Sequence, residues 1–373
     1  MAGEEIDFAA EGLLDGLEGA EREERLALLR QLAGQGVPLE ELHRSADSGR
    51  LVFLLADRVI GGPRSLTAEQ VAERSGVSLR FLLDSRRAMG LPIPEPGEAA
   101  FTENDVEAAR RSLVATEAGI TEEDLLELLR VLGRGLGQAA EAMRALPLKL
   151  VLHAGISEQE LAQHYGETVA RLYPMVDPLM SDILALHLRH ATETEIVGAA
   201  ERDGGRLPGS RRVAIGFADL VGFTRLGEEV PPDELGRLAT RLEAIALEVA
   251  SPPVRLVKTI GDAVMLASPD PEPLLETALG LIDVAEGEGG DFPELRAGAA
   301  LGSALARAGD WFGQPVNLAS RITSVARPSS LLVDGLLYES VGSGFRASFA
   351  GQRRLKGIRE PVALFRMRRA EGG

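Results

Sequence analysis

The chain has no cysteine among its 373 residues. That excludes disulfides, thiolate zinc sites, iron–sulfur clusters and cysteine nucleophiles, and it predicts a reducing, cytoplasmic setting. It also lacks any charge-free apolar run of the ~18 residues a membrane helix needs, so no membrane span is expected. Positive charge is scarce: 40 Lys and Arg stand against 57 Asp and Glu, a net charge of −17. So acidic a chain is a poor partner for nucleic acid or an anionic membrane unless its positive charge is segregated. The N-terminal MAGEEIDFAAEG places acids where a secretory signal needs bases. Histidine is confined to one half: His43, His153, His164, His187 and His190 all precede residue 191.

Hydrophobic residues at 45% and charged residues at 26% describe a globular protein. The length suggests two or three domains, and the sequence divides in two. Residues 1–200 read as an all-helical domain, almost entirely helix up to about residue 190. Leu26, Leu29 and Leu32 recur at helical spacing until Gly34 and Gly36 stop them, and Pro38 suits the first turn of the next helix. Thr67 with Gln70 and Ser157 with Glu160 have capping-box spacing, and Thr121 precedes three acids suited to a first helical turn. Residues 201–211, ERDGGRLPGSR, read as a linker. From 212 to 370 strands and helices alternate, which predicts an α/β or α+β domain on one sheet. RRVAIGFADLV, LRAGAALGSALARAG, LLVDG and VALFRMRR read as strands, VRLVKTIGDAVMLAS as two strands about a Gly-Asp turn, and PVNLASRITSVA as a helix.

Three features of this second half carry chemistry. Asp219 in FADLVGFT is a carboxylate pushed out of an apolar strand; it either caps the next helix or binds a cation. Gly261-Asp262 is either a plain turn or a second cation ligand, and Lys258, three positions before it in an apolar run, needs a partner. Asn317 and Arg321 are four apart, hence on one helix face, beside a buried face of Leu318, Ile322 and Val325. Two carboxylates can hold two divalent ions that clamp the attacking and leaving oxygens of phosphoryl chemistry. Hard Mg²⁺ accepts a few carboxylates plus nucleotide phosphates. Arg321 could neutralise charge on an α-phosphate and Asn317 could position a ribose. Lys258 and Asp310 form a donor–acceptor pair that matches the edge of adenine, although a register shift could accommodate guanine.

FADLVGFT (217–224), KTIGDAVM (258–265), GDWFGQPVNLASRI (309–322) and LKGIREPVALF (355–365) together resemble the catalytic domain of class III nucleotidyl cyclases. The resemblance implies an α+β chain: a ferredoxin-like βαββαβ catalytic domain preceded by an all-α regulatory domain like that of actinobacterial soluble cyclases. It implies conversion of ATP to 3′,5′-cyclic AMP and pyrophosphate, by in-line attack of the ribose 3′-hydroxyl on the α-phosphate with two Mg²⁺ or Mn²⁺ ions. Carried over, Asp219 and Asp262 are the metal carboxylates, Lys258 and Asp310 select adenine, Asn317 and Arg321 orient the ribose and stabilise the transition state, and Lys356 contacts the triphosphate. Backbone amides around Val221, Gly222, Phe223 and Thr224 are candidate phosphate binders, because Gly222 lets the chain approach closely. The family also implies a homodimer in which each site takes its metal carboxylates from one chain and the Lys–Asp–Asn–Arg set from the other.

Residues 65–111 have a helix–turn–helix rhythm similar to that of MerR-type regulators, with Gly76 at the turn. Residues 64–111 hold seven arginines and no lysine against eight acids. That balance lacks the electrostatic footprint of a DNA reader, so no nucleic-acid partner is expected. His187 and His190 lie three apart on a helix just before the linker, as two solvated histidines or as a proton-sensitive contact.

Overall fold

A computed structural model describes residues 6–194, 210–289, 292–307 and 309–370. They fall into two compact units, divided between Glu195 and Ile196. Most of the expected 201–211 linker lies outside the described residues, and Arg211 already belongs to the first strand.

The first unit is helical. It runs α1 (Gly19–Gly34), α2 (Leu39–Asp47), α3 (Leu54–Gly61), α4 (Ala68–Ser75), α5 (Leu79–Ala88), α6 (Glu103–Glu117), α7 (Glu122–Val151), α8 (Glu158–Leu172) and α9 (Val176–Thr194). Its only bridge outside helices, among the described residues, joins Leu66 to Phe101. The boundaries follow local chemistry. Thr67 and Ser157 close reciprocal capping boxes with Gln70 and Glu160, and Thr121 Oγ1 accepts the amide of Asp124. Pro38 is the residue before α2 rather than within its first turn. Leu28, Leu29 and Leu32 are fully buried and pack with Leu42, Leu51 and Leu54. Residues 66–125 gather around Val71, Phe81, Phe101 and Val106 as a core of their own. Five of the seven arginines between residues 64 and 111 are ion-paired: Arg64 to Asp57, Arg74 to Glu103, Arg80 to Glu122, Arg87 to Asp84 and Arg110 to Glu107.

The second unit is a sheet with helices on both faces. Its elements are β1 (Arg211–Leu220), α10 (Phe223–Glu229), α11 (Pro232–Val249), β2 (Arg255–Ile260), β3 (Ala263–Ser268), α12 (Pro271–Gly287), β4 (Leu295–Arg307), β5 (Asp310–Gly313), α13 (Gln314–Val325), β6 (Ser330–Asp334), α14 (Gly335–Tyr338), β7 (Phe345–Arg353) and β8 (Val362–Arg369). The strand order is β2-β3-β1-β4-β6-β8-β7, with β5 paired to β4. The first four of these strands are mutually antiparallel and, with α11 and α12, form the βαββαβ unit in ferredoxin-like order. α13 is the crossover to β6, which runs parallel to β4.

β1 is central and its residues Val213 to Ala218 are all buried, so both faces of the sheet are covered. One face packs Ala214, Ala218, Leu266 and Leu301 against α11 and α12, through Leu242, Ile245, Leu274 and Ile282. The other packs Val213, Ile215, Phe217 and Met265 against Leu318, Ala319 and Ile322 of α13. Here the expected buried face of α13 is one residue too long: Val325 is 43% exposed, because it ends the helix beyond the sheet.

Candidate active site

The site is assembled where β1 ends and β3 and β4 begin, on the α13 face. Asp219 is the next-to-last residue of β1, opposite Ala263 on β3 and Arg296 on β4. Asp262 is in the tight turn between β2 and β3. Gly261 makes that turn possible with φ 62°, a left-handed backbone that a side chain would resist. The Asp262 carbonyl accepts the Leu220 amide at 3.0 Å, which fixes the turn against the end of β1.

The two carboxyl groups therefore meet. Asp262 titrates above the ordinary carboxylate range. Burial is the main cause, the neighbouring Asp219 charge and a hydrogen bond between the two acids add to it, and Arg296 pulls the other way. Arg296 grips Asp219, its Nε donating to Oδ2 at 2.9 Å, and its Nη1 reaches the Ser324 carbonyl at the end of α13. Sequence reading passed over Arg296. The available signal was a lone guanidinium in the otherwise apolar LRAGAALG, the same anomaly that drew attention to Lys258.

Lys258 finds its partner. Its Nζ forms an ion pair with Asp310 Oδ2, and both side chains are part-buried. Asp310 opens β5 opposite Arg307, eleven positions along β4 from the Arg296 level, so the pair ties the outer hairpin back to β2. Asp310 Oδ1 also accepts the Trp311 amide at 2.8 Å, which orients the carboxylate. β5 runs directly into α13, where Asn317 and Arg321 stand exposed one turn apart, without side-chain partners among the described residues. Lys356 is exposed in the loop between β7 and β8, beside buried Leu355.

The Val221–Thr224 segment is the turn between β1 and α10. Gly222 has φ 77° and precedes the helix. The Val221 amide donates to the Glu294 carbonyl at 2.8 Å, which removes it from the set expected to bind phosphate. An N–H already bonded within the fold has nothing left to offer a ligand. The amides of Gly222 and Phe223 have no such partner among the described residues.

Exposed apolar side chains occur in the same elements: Ile260 at the end of β2, Leu305 and Phe312 paired across β4 and β5, and Val325 at the end of α13. Among the described residues no cluster of three or more His, Cys, Asp or Glu forms a closed metal cage. Two carboxylates with open surroundings suit a hard divalent ion that completes its shell with water and phosphate oxygens. No helix among the described residues is long and apolar enough to cross a membrane.

Comparison with known proteins places both halves. Residues 6–192 match the adenylate cyclase regulatory domain, and residues 207–368 match the adenylate and guanylate cyclase catalytic domain. A Mycobacterium tuberculosis protein named pH-sensitive adenylate cyclase is 44% identical over 372 residues, covering 97% of this chain and 92% of its own length. An adenylate cyclase of Streptomyces coelicolor is 35% identical over 307 residues, 80% of this chain and 77% of that one. Among solved structures, the adenylyl cyclase CyaB of P. aeruginosa matches with TM-score 0.38 and 21% identity, over 43% of this chain and 96% of its own.

Proposed function

This chain belongs to the class III adenylate cyclases that carry an N-terminal regulatory domain, and we propose that its second unit converts ATP to 3′,5′-cyclic AMP and pyrophosphate at sites shared between two copies. The observation that carries the reading is the meeting of Asp219 and Asp262. Two acids pressed together at partial burial form a place for cations, and a nucleoside triphosphate brings them.

Asp219 and Asp262 would hold two divalent ions, Mg²⁺ or Mn²⁺, whose chemistry is to neutralise the phosphates and favour ionisation of the ribose hydroxyl. The remaining roles belong to the chain. Arg296, bonded to Asp219, holds that carboxylate in place beside Asp262 and brings positive charge to the end of the sheet where the phosphates would lie. The Gly222 and Phe223 amides, Thr224 and Lys356 supply further donors to the triphosphate. Lys258 donates to the adenine ring nitrogen and Asp310 accepts from its 6-amino group, each pre-oriented by the other. Asn317 orients the ribose so that the 3′-oxygen bonds to the α-phosphorus as the bond to pyrophosphate breaks. Arg321 neutralises the charge that grows on the α-phosphate oxygens.

The exposed pair Leu305 and Phe312, adjacent across β4 and β5, favours a second copy over this hairpin, since adjoining exposed apolar side chains suit an interface. The test uses the full chain with ATP and Mn²⁺. Asp219→Ala and Arg321→Ala should each lower cyclic AMP production by about 10³-fold. Mixed, they should regain activity, because one heterodimer site keeps both halves intact. Mixed dimers that form without recovery would show that the site is not shared. GTP assayed beside ATP decides base choice: equal rates would remove Lys258 and Asp310 from the selecting role.

A further inference from the structure

An acidic chain can meet an anionic surface only where its positive charge is segregated, and the last two strands segregate it. Residues 346–369 hold eight Arg and Lys and one acid, Glu360, in a chain of net charge −17. The strand register sorts them by face. Val362 and Leu364 pack with Leu318 and Ile322 on the α13 face of the sheet, whereas Phe365 and Met367 pack on the α12 face. Alternation therefore puts Arg366 and Arg368 on the α13 face. Arg346 stands directly opposite Arg368 and Arg353 opposite Val362, so both share that face. Arg369 turns the other way, where Glu276 and Asp283 neutralise it. Arg353, Arg366 and Arg368 form no ion pair among the described residues.

The fold does not call for this concentration. Like charges directly opposite each other, as on Arg346 and Arg368, destabilise a strand pair. Charge on an edge strand does block pairing with other chains, and β7 is such an edge, last in the strand order. That use accounts for Arg346 and Arg353 but not for Arg366 and Arg368, which lie one strand further in. α13, which covers the same face over β1, β4 and β6, carries no acid to balance them.

The other side of the same edge is apolar. Phe349 on β7 is 64% exposed, and its ring lies 5.6 Å from that of Phe365, which stacks on Tyr338 at 4.1 Å. Leu336, in the same short helix as Tyr338, is 57% exposed. Side chains from both faces flank an edge strand. A plane laid along β7 therefore meets guanidinium groups on one side and Phe349 on the other, over a line about 30 Å long for nine residues. We propose that this edge docks on an anionic lipid bilayer, with the arginines on headgroup phosphates and Phe349 at the acyl boundary. A single-stranded nucleic acid would use the rings as stacking platforms, but Tyr338 and Phe365 already spend a face each on the other.

The experiment is co-sedimentation of the full chain with vesicles at about 0.15 M salt. One set is phosphatidylcholine alone and the other equimolar phosphatidylcholine and phosphatidylglycerol. The chain should sediment with the anionic set only, and less as salt is raised. Arg353→Gln/Arg368→Gln should weaken that partition by about tenfold or more, and Phe349→Ser by about threefold or more. All three side chains are exposed, so their replacement leaves core packing intact; unchanged circular dichroism and melting temperature without vesicles check this. No binding to anionic vesicles, equal binding to both sets, or undiminished binding by the arginine variant overturns the proposal. So does binding to a single-stranded oligonucleotide without binding to vesicles, which would assign the edge to nucleic acid instead.

Discussion

Asp334 ends β6 with a carboxyl that is almost wholly buried, and it does so for the backbone. Its Oδ1 accepts the amides of Leu301 and Leu337, each at 3.2 Å, joining β4 to the first turn of α14. Burial raises its pKa above the ordinary 3.8, while those amides pull it down. The sign follows. A folded state that holds its proton more tightly than the unfolded state is most stable below pH 3.8, and it loses stability as pH rises through the raised value. Asn keeps the acceptor oxygen without the charge. Asp334→Asn should therefore match or exceed the parent near neutrality and lose that decline with pH. Asp334→Ala should cost about 1–3 kcal/mol at every pH, having left two buried amides unpaired. Urea midpoints of the second unit between pH 4 and 8 check both; equal damage by Asn and Ala would mean the charge itself is needed. The same residue scale explains what the sequence revealed. A charged side chain in an apolar run announces a partner, so Lys258 could be read, and Arg296 carried the same signal unread. Which partner each would take depends on register, and register is set by the whole sheet. The Val221 amide was misassigned for that reason: its acceptor, the Glu294 carbonyl, lies far along the chain.

Among elements, α13 matters most, because it carries Asn317 and Arg321. It sits on β4 through glycine. A Cβ at Gly298 would lie 2.3 Å from the Thr323 amide nitrogen and 2.6 Å from its hydroxyl oxygen. Thr323 is buried and its hydroxyl donates to the Ala319 carbonyl at 2.9 Å, so it has little freedom to withdraw. Gly298→Ala must push the helix off the strand. Overpacking of this kind costs about 1–3 kcal/mol, and a shift near 1 Å in positioned groups can cost about 10²-fold in rate. Gly302→Ala is the graded control, since its Cβ would meet Pro315 at a milder 3.3 Å. Activity should fall steeply in the first variant and little in the second, with melting temperatures in the same order. Parental activity in Gly298→Ala would show that the seat of α13 is not what positions its two polar residues. The long elements here were legible from period and punctuation, as in α13 with its early proline and the apolar β4. β5 is only four residues and β7 is a largely exposed edge strand with a bulge near Gly351, so neither leaves a burial pattern to read.

At the scale of the molecule, each unit closes its own core. The second buries apolar residues on both faces of its sheet, from Leu242 and Leu274 on one side to Ile215 and Ile322 on the other. The first does so around Leu28, Leu42 and Leu54, and again around Val71 and Phe101. A chain segment with a complete core folds alone. Residues 205–373 should thus melt cooperatively without the first unit and make cyclic AMP from ATP and Mn²⁺, since every proposed site residue lies within them. The first unit then acts on the rate and not on the chemistry. His187 and His190 stand exposed on α9, and all five histidines belong to that unit. Histidine is the side chain whose ordinary pKa lies between pH 5 and 8. The ratio of full-chain to fragment activity should therefore change across that interval, while the fragment keeps its own simpler profile. Two profiles that superimpose after scaling would deny the first unit any role in proton response, and a fragment that folds but is inactive would mean that the first unit supplies part of the active assembly.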